Sequence, residues 1–369
     1  MKAVKNKMNV TILLIIKFHL RWAGIISPIN ISNCTFKNNL GRSGASVAID
    51  GRGSVNAALL FEIKDCVFSD NEATEQAAGV VVYEMQNFSV TGCTFENNQT
   101  NRGCLYPSRC GSVLVSDCLF ESNTNDNFGG GMFSWQTTDL TIDNSIFRSN
   151  RSRQAGGMYY DARELVSGNP SFTITNTQFI NNETTDGVGG GITVFQGTNV
   201  TVDNCRFNGN QSRSGGGLYF NGVDSPKNPD HFMITNTEFS SNEVTERGGG
   251  FYSAGGSYTM ENCNILGNTS GNTGGGVYNS SNPNKNCNIL NCVFGNNLSA
   301  WGGAVTSYGD STIVIIDGGN FLSNEAENGG GAVHCGFNAK VLLMNSDIGN
   351  NIASVGGGVA LQNDSTTLV

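Results

Sequence analysis

The sequence is poor in proline, in charge and in histidine, and it has no long apolar run. Six prolines, a charged fraction of 14% and a hydrophobic fraction of 38% exclude a disordered, self-repelling chain. No stretch of about eighteen or more apolar residues occurs, so no transmembrane helical span is expected in this chain. The formal charge of −9 removes the basic footprint that phosphate backbones require, and nucleic acid is not an expected partner. The three histidines, His19, His231 and His334, are far apart and no pair of Cys-x-x-Cys motifs is present, so neither a metal nor a cofactor is expected.

Glycine is in excess, with 49 residues of 369, and so is phenylalanine, with 21. Both recur at fixed places. The anchors Phe36, Phe68, Phe95, Phe120, Phe147, Phe179, Phe207, Phe239, Ile265, Phe294, Phe321 and Ile348 are spaced by 25 to 32 residues, with a mean near 28. Three residues after each anchor stands an asparagine: Asn39, Asn71, Asn98, Asn123, Asn150, Asn182, Asn210, Asn242, Asn268, Asn297, Asn324 and Asn351. Seven and five residues before an anchor lie two apolar side chains around a mostly polar one, as in Val200 and Val202, which is the period of a strand with one buried face. Three residues before every anchor the residue is Asn, Asp or Gly, the types that tolerate the left-handed region, so a sharp bend is expected there. After the asparagine come polar residues and then a glycine run ending on an apolar residue, as in Gly215-Gly216-Gly217-Leu218. This predicts a turn and a third strand.

A repeat of this length with three short strands and no helical stretch predicts an all-β fold, a right-handed parallel β-helix of about twelve rungs. Residues 29–369 read as this single solenoid, and Val359 to Val369 begin a thirteenth coil without reaching its anchor. Residues 1–28 read either as a secretory signal or as an irregular N-terminal cap. Lys2, Lys5 and Lys7 precede the apolar Val10 to Ile16, but Lys17 and Arg21 fall where a signal should be uncharged.

The tetrapeptides Gly302-Gly303-Ala304-Val305 and Gly330-Gly331-Ala332-Val333, with Phe294-Gly295-Asn296-Asn297, resemble the repeats of chlamydial polymorphic membrane proteins. The resemblance covers residues 29 to 362. It implies a β-helix of the pectin-lyase-like superfamily on a secreted or cell-surface protein, and it says little about function. That family also carries a C-terminal membrane barrel; this sequence stops inside a rung at Leu368-Val369, so a barrel is expected to be either absent or lost to truncation.

Seven of the eleven cysteines, Cys34, Cys66, Cys93, Cys118, Cys205, Cys263 and Cys292, occupy the position two residues before an anchor. Side chains stacked there point the same way, so a ladder of buried free thiols acting as small hydrophobes is expected. Cys104 and Cys110 flank a short segment containing Pro107 and are the candidate disulfide. The asparagines after the anchors are expected to form a hydrogen-bonded row, which discounts the sequons on them, whereas Asn87, Asn199 and Asn279 look freer for glycosylation.

On the strand after the glycine run, Phe133, Tyr159, Tyr219, Tyr252 and Tyr278 should face outward, with Trp135 two steps beyond Phe133. Such a stripe is a candidate platform for sugar rings or a protein partner; the alternative is a ladder that only stiffens the sheet. Glycosidic bond cleavage needs two carboxylates in different protonation states. Asp161, Glu164, Asp224 and Asp230 are the weak catalytic candidates, and the signatures of polygalacturonase-like enzymes and pectate lyases are missing. The sequence therefore points to a non-catalytic extracellular or cell-surface scaffold for adhesion or glycan binding, with an extracellular polysaccharide or surface protein as partner. A polysaccharide lyase or glycoside hydrolase, or a purely structural rod, is the alternative.

Overall fold

The computed structural model describes residues 14–17, 29–52, 60–163, 165, 170–222, 231–280, 286–309, 312–362 and 367–368. The described chain forms four sheets of 13, 13, 12 and 12 strands, each strand taken from successive coils. Each strand pairs in parallel with its counterpart one rung away, as Ile192–Phe195 does with Leu218–Asn221. Among the described residues there is no helix. The architecture is the parallel β-helix expected, with one correction. Each coil has four strands rather than three, because the polar segment after the asparagine also pairs, as in Gln211–Ser214.

That extra strand alternates exposed and buried residues, but its buried ones are small: Ser152, Thr184, Ser212 and Ser270. Their hydroxyls turn back onto the corner, Ser212 donating to Ser214 O at 2.9 Å and Ser152 to Ala155 O at 2.8 Å. A strand whose inward face is hydroxyl-bearing carries no hydrophobic period.

The corners are made by single residues in the left-handed region. The Asn, Asp or Gly before the anchor has φ between 45° and 69° in all twelve rungs, from Asn33 and Asp65 to Gly318 and Asn345. The glycine run has two separate causes. Its first member bends the chain, as at Gly215 with φ of 64°, and the next two meet the following rung. A Cβ on Gly190 would lie 2.5 Å from Gly216 O, closer than any real contact and against backbone that cannot give way.

Inside, the anchors stack in a column. Ring centroids from Phe36 to Phe239 are 4.4 to 5.0 Å apart with planes within 10° of parallel, which is the rung spacing of about 4.8 Å. Ile265 interrupts the rings, and Phe294 and Phe321 resume them at 4.8 Å.

Beside this column runs the asparagine row. Asn182 Nδ2 donates to Phe147 O at 2.9 Å and to Asn210 Oδ1 at 3.0 Å, and the Asn182 backbone N–H donates to that same Oδ1 at 3.0 Å. The pattern runs from Asn39 and Asn71 through to Asn324 and Asn351. It satisfies groups at a bend where no strand partner is available. The sequons on this row arise because the residue two positions after the asparagine is often the small inward hydroxyl, as in Asn210-Gln211-Ser212. Of the sites expected to be freer, Asn199 is exposed, but Asn279 is fully buried with its Oδ1 accepting from Cys287 Sγ at 3.3 Å.

The position two before the anchor forms a second polar row. Cys66 N–H points at Cys93 Sγ at 3.4 Å, Cys118 N–H at Ser145 Oγ at 3.1 Å, and Ser145 N–H at Thr177 Oγ1 at 3.3 Å. Each side chain also donates to the carbonyl two residues back, as Thr177 does to Thr175 O at 2.7 Å. The narrow alphabet of Cys, Ser and Thr is thus a choice of small donor-acceptors and not only of small hydrophobes. Burial raises the affinity of the Cys205 thiol for its proton, pushing it up to about 12. All eleven cysteines are unbridged, and ten are buried. Alkylation of the folded protein is expected to reach exposed Cys34 first and the other ten only after denaturation, which peptide mass spectrometry reads directly. Rapid native labelling of several buried thiols would show that the rungs open far more readily than this packing allows.

Candidate binding face

The face in question is the outer side of the sheet that follows the glycine run. Its strands carry four residues, the first and third turned inward and the second and fourth outward, as the pairing of Met132–Trp135 with Met158–Asp161 sets out. The second position holds Tyr106, Phe133, Tyr159, Tyr219, Tyr252 and Tyr278 in the rungs that bear an aromatic.

Most of this row is covered rather than exposed. Phe133 keeps 5% of its surface, Tyr159 2% and Tyr278 3%, while Tyr219 and Tyr252 are half-buried. The cover comes from the end of the preceding strand, which the first glycine swings across the row. The Phe128 ring lies 5.6 Å from that of Phe133 and 5.0 Å from that of Tyr159, and the Arg247 guanidinium sits 5.5 Å from the Tyr278 centroid. Tyr219, Tyr252 and Tyr278 then meet edge to face at 4.9 to 5.0 Å. Burial pushes the phenols of Tyr219 and Tyr278 up to about 12. The expected open stripe is therefore largely an outer hydrophobic cluster, also including Ala77, Val81, Tyr106 and Ala155.

The fourth position is more open. Tyr83, Trp135 and Phe195 are half-buried there, each with an arginine of the preceding rung against its ring. Arg52 lies 4.9 Å from the Tyr83 centroid, Arg109 4.8 Å from Trp135 and Arg163 4.3 Å from Phe195. Each guanidinium is braced by acceptors. Arg52 chelates Asp50 at 2.8 and 2.6 Å, Arg163 chelates Asp161 at 2.9 and 2.6 Å, and Arg109 reaches Gln136 Oε1 at 3.2 Å and Glu84 at 3.6 Å. The sequence carries a signal for this that passed unread: Asp50-Gly51-Arg52 and Asp161-Ala162-Arg163 repeat the same Asp-x-Arg at the same corner.

Asp161, a candidate acid, is thus tied up by Arg163, with a side chain only 9% exposed. Both of its carboxylate oxygens accept from Arg163, at 2.9 and 2.6 Å, and are turned to that side chain rather than to an open cleft. Glu164, Asp224 and Asp230 lie outside the described residues. The proposed bond between Cys104 and Cys110 is also corrected. The strand Leu105–Ser108 runs between them, and its four residues rise about 13 Å, beyond disulfide reach. Both thiols are buried, Cys104 donating to Gly130 O at 3.5 Å and Cys110 to Ser108 O at 3.6 Å. Among the described residues no group of three or more His, Cys, Asp or Glu is placed to hold a metal.

The sequence that forms these coils matches a family model described as right handed beta helix region, over residues 23–183 and 165–324. The chain belongs to the right-handed β-helix family. Its curated relatives are large and varied. It is 29% identical over 226 residues to metabotropic glutamate receptor-like protein R of Dictyostelium discoideum, covering 60% of this chain and 13% of that protein. It is 24% identical over 183 residues to the probable autotransporter YfaL of Escherichia coli, covering 47% of this chain and 14% of the relative. It is 32% identical over 119 residues to the probable outer membrane protein pmp21 of Chlamydia pneumoniae, covering 31% of this chain and 7% of the relative. This β-helix therefore spans no more than a seventh of any of the three. No solved structure matches it significantly.

Proposed function

We propose that the chain is a non-catalytic, surface-exposed β-helix scaffold that binds glycan, in an adhesive role, on the outer face of the sheet after the glycine run. The observation that carries this reading is the half-exposed fourth-position row, where Tyr83, Trp135 and Phe195 alternate with braced arginines on a rigid backbone. With a guanidinium over one face of each ring, the part of the ring left exposed can meet the apolar side of a pyranose while the neighbouring guanidinium edge takes its hydroxyls. Preorganisation on a sheet limits the ordering cost of binding. The names of two relatives, an autotransporter and an outer membrane protein, support a cell-surface or secreted location.

A glycan array run beside a reducing-sugar release assay on the same polysaccharides tests it. Saturable binding without release of reducing ends is the expected result. Release would place the chain among the carbohydrate-active enzymes, and binding to no glycan would leave the structural rod.

A further inference from the structure

The arginine and aromatic pairs of the fourth position do not recur in every rung. Three of the aromatics in this row stand two rungs apart, at Tyr83, Trp135 and Phe195, with Ser108 and Asp161 between them, while Tyr308, four rungs beyond Phe195, stacks on Phe337 instead of an arginine. The arginines Arg52, Arg109 and Arg163 come from the alternate rungs. The chemistry of the ridge therefore repeats about every 9.6 Å, twice the strand spacing.

We propose that this ridge is a track for a linear, uncharged polysaccharide lying along the helix axis, with the same face of every second sugar meeting each arginine–aromatic pair. The inference rests on the glycan reading above and specifies its ligand. A pyranose unit in an extended, equatorially linked chain advances by about one rung. Alternate units are turned over, so a two-rung period matches a two-sugar repeat.

The charge pattern selects the neutral chain. Asp50, Glu84 and Asp161 balance Arg52, Arg109 and Arg163 along the ridge, and the whole chain carries −9. A polyanion gains no net attraction there and meets long-range repulsion. The guanidiniums still reach the surface, since the side chains of Arg52 and Arg109 remain 57% and 53% exposed. Stacking and chelation have already fixed their orientation, so little freedom is lost when a hydroxyl is engaged.

The test uses the full chain, with β-1,4-linked hexasaccharides of glucose, mannose, xylose and N-acetylglucosamine, their disaccharides, and a galacturonate hexasaccharide. Calorimetry is expected to show a neutral hexasaccharide binding at least about tenfold more tightly than its disaccharide, because a disaccharide reaches only one pair whereas the longer chain reaches three. Trp135→Ala and Arg109→Gln should each weaken that binding by about tenfold or more. Arg109 is a surface residue, so the second variant keeps the fold if the first does not. Leu114→Ser, at an exposed position on a different sheet, should leave both affinity and length dependence intact. Neutral binding that is unmoved by Arg109→Gln, or preference for the galacturonate chain, overturns the track while the glycan reading stands. Absence of binding to every sugar, on this panel and on the array, overturns both.

Discussion

Phe207→Ala is expected to destabilise the protein by about 3–5 kcal/mol, the range for deleting a fully buried aromatic. The ring lies 5.0 Å from Phe179 and 4.9 Å from Phe239, and it fills the space against Gly191, whose added Cβ would fall 3.0 Å from it. Neighbouring rings are fixed by their own strands at the rung spacing and cannot collapse into the gap, so the cavity persists. Because a solenoid rung is stabilised only by its neighbours, the damage should be local. Hydrogen exchange is expected to accelerate from the Phe179 rung to the Phe239 rung and to stay near wild type around Phe68 and Phe321. A loss under about 1 kcal/mol in chemical denaturation would mean that the column merely fills space that the sheets already define.

Asn210→Ala should cost roughly 2–5 kcal/mol, through unmet hydrogen bonds rather than lost volume. It removes the donors to Phe179 O and Asn242 Oδ1, both at 2.9 Å, and the acceptor shared by Asn182 N–H and Asn182 Nδ2 at 3.0 Å. The groups left behind are buried and have no water to turn to. Asn210→Asp sharpens the point. It keeps the acceptor but sets a carboxylate against two oxygens, so its folded-state pKa must rise above the unfolded value of about 4. The protonated form is the better tolerated one. The deficit relative to wild type should therefore be smallest below pH about 4 and grow as pH rises through the folded pKa. Equal deficits at pH 4 and pH 7 would show that the buried row does not control the charge state of this site.

These two positions, the anchor and the asparagine three residues on, are also what made the fold legible in the sequence. They recur together because the same corner must satisfy a ring column and a polar bend in every coil. The left-handed corner before the anchor was equally readable, since only Asn, Asp and Gly fill it. The strand after the asparagine was not, because its inward residues are mostly serine, threonine and alanine, with Asn125 and Val244 as exceptions, and give no apolar period. The fate of the aromatic stripe was illegible for a different reason. Facing outward from a strand is a local property, whereas the burial of Phe133 and Tyr159 depends on Phe128, brought over them by a corner whose reach no single strand reveals. The Asp-x-Arg pairs lay in plain view, but their meaning depends on the aromatic one rung further on.

One corner of the coil differs from the others in length. Between the strand after the glycine run and the next strand, three residues separate Trp135 from Asp139 and Phe195 from Asn199, whereas nine separate Asp161 from Ser171 and Asn221 from His231. The strands on either side keep their register regardless: Ser171 pairs with Asp139 and with Asn199 without a shift. An insertion at this corner is therefore absorbed within its own coil. For the lineage, this makes the corner a place where sequence can be gained, lost or exchanged without refitting the scaffold. Since Arg52 and Arg163 stand at its edge, the surface of the proposed ridge can change there while the interior stays under constant constraint.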